Sequence, residues 1–124
     1  MGTRRKKKPR TVTPAHGKGF AQAAQHFLRE CYRKKKPARA KDFARSLDRT
    51  PEYVSWLAGQ ALGESLHAFL RKKQVEYAAR LLRRTPLSVE DIAERSGFGT
   101  RSSMHRWFVK VHGIGPSAFR ERKK

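Results

Sequence analysis

From Phe20 onward, apolar residues return every three or four positions. Phe20, Ala23, Ala24, Phe27, Leu28 and Cys31 form one such stripe, and that period predicts an amphipathic helix. The run RKKKPARAK (33–41) breaks it with charge and Pro37. DFARSL then predicts a short helix. In TPEYVSWLAGQALG, Thr50 stands as N-cap, Pro51 as the first helical residue and Glu52 in the first turn. Gly63 supplies the left-handed residue that closes this helix. SLHAFLRKKQVEYAARLLRR predicts a long helix whose apolar face is Phe69, Leu70, Tyr77, Ala78, Leu81 and Leu82, ended by Thr85-Pro86. Ser88, with Asp91 three residues on, opens the short helix VEDIAERSG in the manner of a capping box. Gly97 turns the chain, Thr100 caps a helix that ends at Gly113, and Pro116 opens a last short helix, PSAFRER. No stretch alternates at period two. The expected class is all-α, with about seven helices.

The pattern also repeats. Asp42-Phe43-Ala44 returns as Asp91-Ile92-Ala93. With one residue inserted in the turn, Thr50 returns as Thr100, Gly63 as Gly113 and Ala68-Phe69 as Ala118-Phe119. The apolar sets match as well: Val54, Leu57, Ala58 and Ala61 against Met104, Trp107, Phe108 and Val111. Each copy is a short helix, a tight turn and a longer helix, which is the helix-turn-helix pattern. The predicted organisation is a disordered basic tail (1–19) and a domain (20–124). The domain holds a first unit (about 41–64), a linker helix (about 65–84), a second unit (about 88–113) and a terminal helix (116–122). The fold is thus two homeodomain-like helix-turn-helix subdomains joined by a long helix. Over 66–84 that helix would run about 28 Å at ~1.5 Å per residue, against about 34 Å for one turn of B-DNA.

On a helical wheel the second unit's long helix divides in two. Met104, Trp107, Phe108 and Val111 share a face that packs on Ile92, Ala93 and Phe98. Ser102, His105, Arg106 and Val109 share the opposite face, with Arg101 at its flank. The equivalent face of the first copy is Glu52, Ser55, Trp56 and Gly59.

Composition changes how those outward faces read. The chain has 30 Lys+Arg against 10 Asp+Glu, a net charge of +20 and an isoelectric point near 11.3. Such a balance calls for a polyanionic partner, nucleic acid first. In a helix-turn-helix the second helix enters the major groove with its N-terminal part nearest the bases. Arg101, Ser102, His105 and Arg106, and in the first unit Glu52, Ser55 and Trp56, are therefore the candidate base-reading residues. An arginine can donate two hydrogen bonds to guanine, Glu52 can accept from cytosine, and Trp56 can meet a thymine methyl. Arg49, Tyr53, Thr100 and Lys110 are candidate phosphate contacts. The basic tail is either a solubilising arm or a nonspecific phosphate or minor-groove contact.

Other chemistries find little support. The single cysteine, Cys31, reads as a small buried apolar residue. No His or Cys pair stands at zinc spacing, and no Gly-rich phosphate loop or nucleophile–base pair is visible. No metal, cofactor or enzymatic activity is expected. No run of about 18 apolar residues is present, so no membrane partner is expected.

The residues of 78–120 resemble the AraC/XylS family of bacterial transcription regulators, and the resemblance extends over about 42–120. It rests on Ala78, Leu81 and Leu82, then Ser88-Val89, Ile92-Ala93, Gly97-Phe98, Phe108, Gly113, and Pro116-Ser117 with Phe119-Arg120. The chain departs from the family pattern at Ala58, where Phe is usual, and at Gly59 and Gln74, where basic residues are usual. Met104 stands where an aromatic is usual. The resemblance implies a bacterial, double-stranded-DNA-binding transcription regulator with two helix-turn-helix units joined by one helix, and sequence-specific binding is expected of it. Two reading helices in one chain make dimerisation unnecessary, so a monomer on DNA is expected. With no secretory signal or membrane span in the sequence, the expected location is the bacterial cytoplasm, at the nucleoid. RNA polymerase is a second candidate partner. The competing expectation is a nonspecific basic nucleic-acid-binding protein.

Overall fold

The computed structural model describes residues 17–122, and seven helices account for most of them. They are α1 (Gly17–Lys34), α2 (Ala40–Ser46), α3 (Pro51–Leu62), α4 (Leu66–Arg84), α5 (Val89–Arg95), α6 (Arg101–His112) and α7 (Pro116–Arg122). α1 begins at Gly17, inside the last residues of the stretch expected to be a tail. The rest of that tail, residues 1–16, lies outside the described residues.

The caps are where the local sequence puts them. Thr50, Ser88 and Thr100 each have extended backbone, and each side-chain oxygen accepts a backbone N–H three residues on, from Tyr53, Asp91 and Ser103. Each bond satisfies one donor that the helix start leaves unpaired. Gly63 and Gly113 close α3 and α6 in the left-handed conformation, at φ 75° and 81°. The repeat is equally regular: α2 and α5 are both 7 residues long, α3 and α6 both 12. The inserted residue falls in the turn, which runs over 47–50 in the first copy and 96–100 in the second.

The chain divides into two compact units. One takes α1 as far as Phe27 together with Arg39–Ala68; the other takes Leu28–Ala38 and the chain from Phe69 on. In the first unit Phe20, Ala24, Phe27, Phe43, Ala44, Val54, Leu57, Ala58 and Leu66 are buried. The Phe43 ring meets Phe20 edge-on at 5.7 Å and lies 5.2 Å from Phe27. Aromatic pairs at such separations add to plain area burial.

The second unit buries Val75, Ala78, Ala79 and Leu82 of α4 with Ile92 and Ala93 of α5, Phe98 of the turn, Met104 and Phe108 of α6, and Phe119 of α7. α7 is tied down by Arg120, which donates to the carbonyls of Leu82 (3.2 Å) and Thr85 (2.9 Å) at the end of α4. A cation suits those unpaired carbonyls.

Two features depart from the hydrophobic pattern. Val111 falls on the apolar face of α6 by period, yet it is 40% exposed. Val109, Lys110 and His112 beside it are exposed as well, so the last turn of α6 runs past the core that Met104 and Phe108 enter. Gln74, a polar residue in the middle of α4, is fully buried. Its Nε2 donates to the Ser96 carbonyl at 2.9 Å, and its Oε1 accepts from Arg71. Arg71 also donates to the Ala38 carbonyl at 2.9 Å. Ser96, buried too, donates its hydroxyl to the Ile92 carbonyl at 2.6 Å. The network meets the rule that buried polar groups find partners.

Candidate nucleic-acid interface

In the second unit, Met104 and Phe108 are completely buried and Trp107 is half-buried against the same core. That anchors one face of α6. The opposite face carries Arg101, Ser102, His105, Arg106 and Val109, which together line one open concave surface. Arg101, Ser102, His105 and Arg106 are all exposed. The geometry therefore brings the four second-unit candidates onto a single outward strip.

They are not equally free. Arg101 Nη1 donates to Glu90 Oε2 at 2.5 Å. Both side chains are more than half exposed, so the pair is worth little to folding. The Glu90 carboxylate is held below the usual range by its own backbone N–H and by the Arg101 guanidinium. The ring of His105 lies against Gly115, where an added Cβ would meet Cε1 at 2.6 Å. Of the two phosphate candidates here, Thr100 uses its hydroxyl oxygen as the α6 cap. Lys110 places its ammonium 4.7 Å from the Trp107 ring centre, a cation–π distance.

In the first unit Glu52, Ser55 and Gly59 are exposed on α3. Trp56 is 58% exposed and Tyr53 41%. Their rings stack at 6.0 Å and 26°, and the Arg49 guanidinium sits 5.5 Å over Tyr53. Trp56 is thus an outward residue of the helix rather than a packing residue of the unit's core. Lys41, Arg45 and Asp48 join Arg49, Thr50, Pro51 and Tyr53 around a second concave surface, with Arg45 Nη1 3.6 Å from Asp42 Oδ1. Lys41 and Arg45 lie outside the candidate residues that the helix-turn-helix pattern marks. Their i,i+4 spacing on α2 puts them on one face of that helix.

Among the described residues no group of three or more His, Cys, Asp or Glu could hold a metal ion. Nor is any helix long and apolar enough to cross a membrane.

Two copies of a short helix, a turn and a capped 12-residue helix, each with a polar strip outward, define a helix-turn-helix protein. Residues 43–122 match the helix-turn-helix domain family. The chain belongs to that family and is a DNA-binding domain of the AraC type. It is 32% identical over 72 residues to the HTH-type transcriptional regulator Rv1931c of Mycobacterium tuberculosis, covering 58% of this chain and 28% of that protein. It is 40% identical over 55 residues to the RCS-specific HTH-type transcriptional activator RclR of Escherichia coli, covering 44% and 19%. The chain therefore spans less than a third of the length of these curated relatives. Among solved structures, it resembles the C-terminal domain of AraT, a response regulator from Geobacillus stearothermophilus. The TM-score is 0.73 and the identity 28%, over 92% of this chain and 88% of that one. It shares the fold of the AdpA DNA-binding domain, solved with a target DNA, at TM-score 0.68 and 21% identity over 83% and 86%.

Proposed function

We propose that this protein regulates transcription by sequence-specific binding to double-stranded DNA. α6 is the principal reading helix, and α3 reads a second segment of the major groove. The observation that carries this is the outward strip of α6: Ser102, His105 and Arg106, with Arg101 at its flank, opposite the buried Met104 and Phe108.

Arg106 is the residue best suited to a bidentate bond to guanine, because Arg101 must first leave Glu90. Ser102 and His105 take single hydrogen bonds to a base or a phosphate. In the first unit the apolar plane of Trp56 suits a thymine methyl, Glu52 suits cytosine N4, and Ser55 suits either kind of base. Arg49, Tyr53, Thr100 and Lys110 flank these strips as phosphate contacts, joined by Lys41 and Arg45. A single copy carries two reading helices, so the DNA-bound form is a monomer. RNA polymerase is the partner through which a regulator so bound would act.

Selecting bound duplexes from a random pool tests the reading directly. Arg106→Ala then lowers affinity for the selected site by about 5- to 150-fold, the equivalent of roughly 1–3 kcal/mol. It lowers affinity for scrambled DNA by much less. No enrichment, or equal loss on both DNAs, would leave only charge-driven, nonspecific nucleic-acid binding.

A further inference from the structure

We propose that the lysine run Lys34–Lys36, where α1 ends, is a docking site for the DNA phosphate backbone beside the N-terminus of α6. The proposal rests on the DNA-reading role of α6 and adds a binding surface outside both helix-turn-helix units.

All of its geometry lies within the second compact unit. α1 closes through Lys35 N–H to the Tyr32 carbonyl (3.1 Å) and Lys36 N–H to the Cys31 carbonyl (3.0 Å). Stacking of the Tyr32 and Tyr77 rings at 4.1 Å holds that end of α1. The chain then runs straight onto the α5–α6 turn. The Pro37 ring fills the space beside Gly99, its Cγ 3.6 Å from where a Cβ would stand. Ala38 N–H donates to the Gly97 carbonyl at 2.9 Å, and Arg71 holds the Ala38 carbonyl at 2.9 Å. The residue after Gly99 is Thr100, the cap of α6. Lys36 is the neighbour of Pro37, with their Cα atoms about 3.8 Å apart. The lysines are thus fixed next to the turn that leads into the reading helix.

That place has a chemical meaning. When the N-terminal part of a reading helix enters the major groove, the turn before it comes to the phosphate edge of the groove. Lys34, Lys35 and Lys36 are all exposed, and none is in an ion pair among the described residues. Arg33, just before them, is compensated by Glu30 at 2.6 Å. Favourable interaction with the end of the α1 dipole accounts for a cation in the last turn, such as Lys34. It does not account for Lys35 holding φ 54°, a left-handed position where glycine is the usual occupant.

The test uses the full chain and a duplex carrying its selected site. Lys34→Gln, Lys35→Gly and Lys36→Gln are combined, glycine being chosen because it suits the left-handed backbone. The combined variant should weaken binding to selected and random DNA by similar factors. Its plot of log affinity against log salt should be shallower by about 0.9 for each phosphate that is no longer neutralised. Methylphosphonates placed one at a time along the duplex give the decisive readout. The parent chain should be sensitive at phosphates flanking the α6 segment, and the variant should be insensitive there while staying sensitive elsewhere. Lys35→Gly alone should melt no lower than the parent and still flatten the salt slope by one phosphate's share. An unchanged slope, or weaker binding without any position-specific change in the methylphosphonate profile, overturns the proposal. A parent chain with no preferred site would overturn the reading role instead, so the two failures are separable.

Discussion

The imidazole of His105 lies against Gly115, so close that a Cβ on Gly115 would come within 2.6 Å of its Cε1 and 2.8 Å of its Nδ1. His105 belongs to the outward strip of α6, and Gly115 to the turn between α6 and α7. The missing side chain at 115 thereby sets where a candidate base-reading ring rests.

Gly115 is not among the glycines with left-handed backbone, so alanine there collides only with the ring. Gly115→Ala should change unfolding free energy by less than about 0.5 kcal/mol. It should reduce affinity for the selected DNA site about 2- to 10-fold, the range expected for removal of one hydrogen bond. His105→Ala should do the same, and the double variant should add little further. Full additivity in that cycle would show that Gly115 does not act through His105.

Gln74 ties α4 to the α5–α6 turn and to Arg71. Gln74→Ala removes both bonds and opens a cavity, and should cost about 2–4 kcal/mol. Gln74→Met keeps the volume and should cost about 1–3 kcal/mol, because the Ser96 carbonyl and Arg71 lose a buried partner. Urea unfolding measures both. Two variants within about 0.5 kcal/mol of the parent would mean that the network adds nothing to stability.

Glu90 gives the second unit a pH-dependence of stability of one sign, and a small one because its pair with Arg101 is exposed. Its carboxyl lies below its ordinary value of 4.5 in the folded chain, through its own backbone N–H first and Arg101 second. The stabilisation is therefore fully present above the unfolded value and is lost as pH falls through the lower folded value. Unfolding of the parent and of Glu90→Gln should differ by a constant amount at pH 6–7, about two units above the unfolded value. The difference should shrink as the medium is taken down through the glutamate range. A difference independent of pH would remove the ion pair from the account.

Trp56 and Gly59 separate reading from folding on α3. Trp56 is 58% exposed and stacks on Tyr53. Trp56→Ala should leave stability within about 0.5 kcal/mol while lowering affinity for the selected site. Gly59 sits inside α3 with nothing within 4 Å of an added Cβ, so Gly59→Ala should raise stability by about 0.5–1 kcal/mol. Thermal melts and a binding titration on the same samples check both. A large fall in stability for Trp56→Ala would place that ring in the core.

The helix ends, the repeat and the two faces of α6 are all legible in the order of residues. Thr50, Ser88 and Thr100 cap helices through bonds only three residues long, and Gly63 and Gly113 close α3 and α6 through their own backbone freedom. Such interactions are local, so the chain declares them wherever they occur. Periodicity likewise marks Met104 and Phe108 as inward and Ser102, His105 and Arg106 as outward, because 3.6 residues per turn puts the apolar and polar sets on opposite faces. It misplaces Val111, because period alone does not say where along α6 the packed core stops. It is silent on Gln74, whose partner Ser96 stands 22 residues away, and on Arg71, whose carbonyl partner Ala38 stands 33 away. It is silent too on Gly115 beneath His105 and on Pro37 beside Gly99. A polar residue's burial, and the freedom of an exposed one, are settled by what distant segments bring against it. No local pattern carries that information, and packing supplies it only when the whole unit has closed.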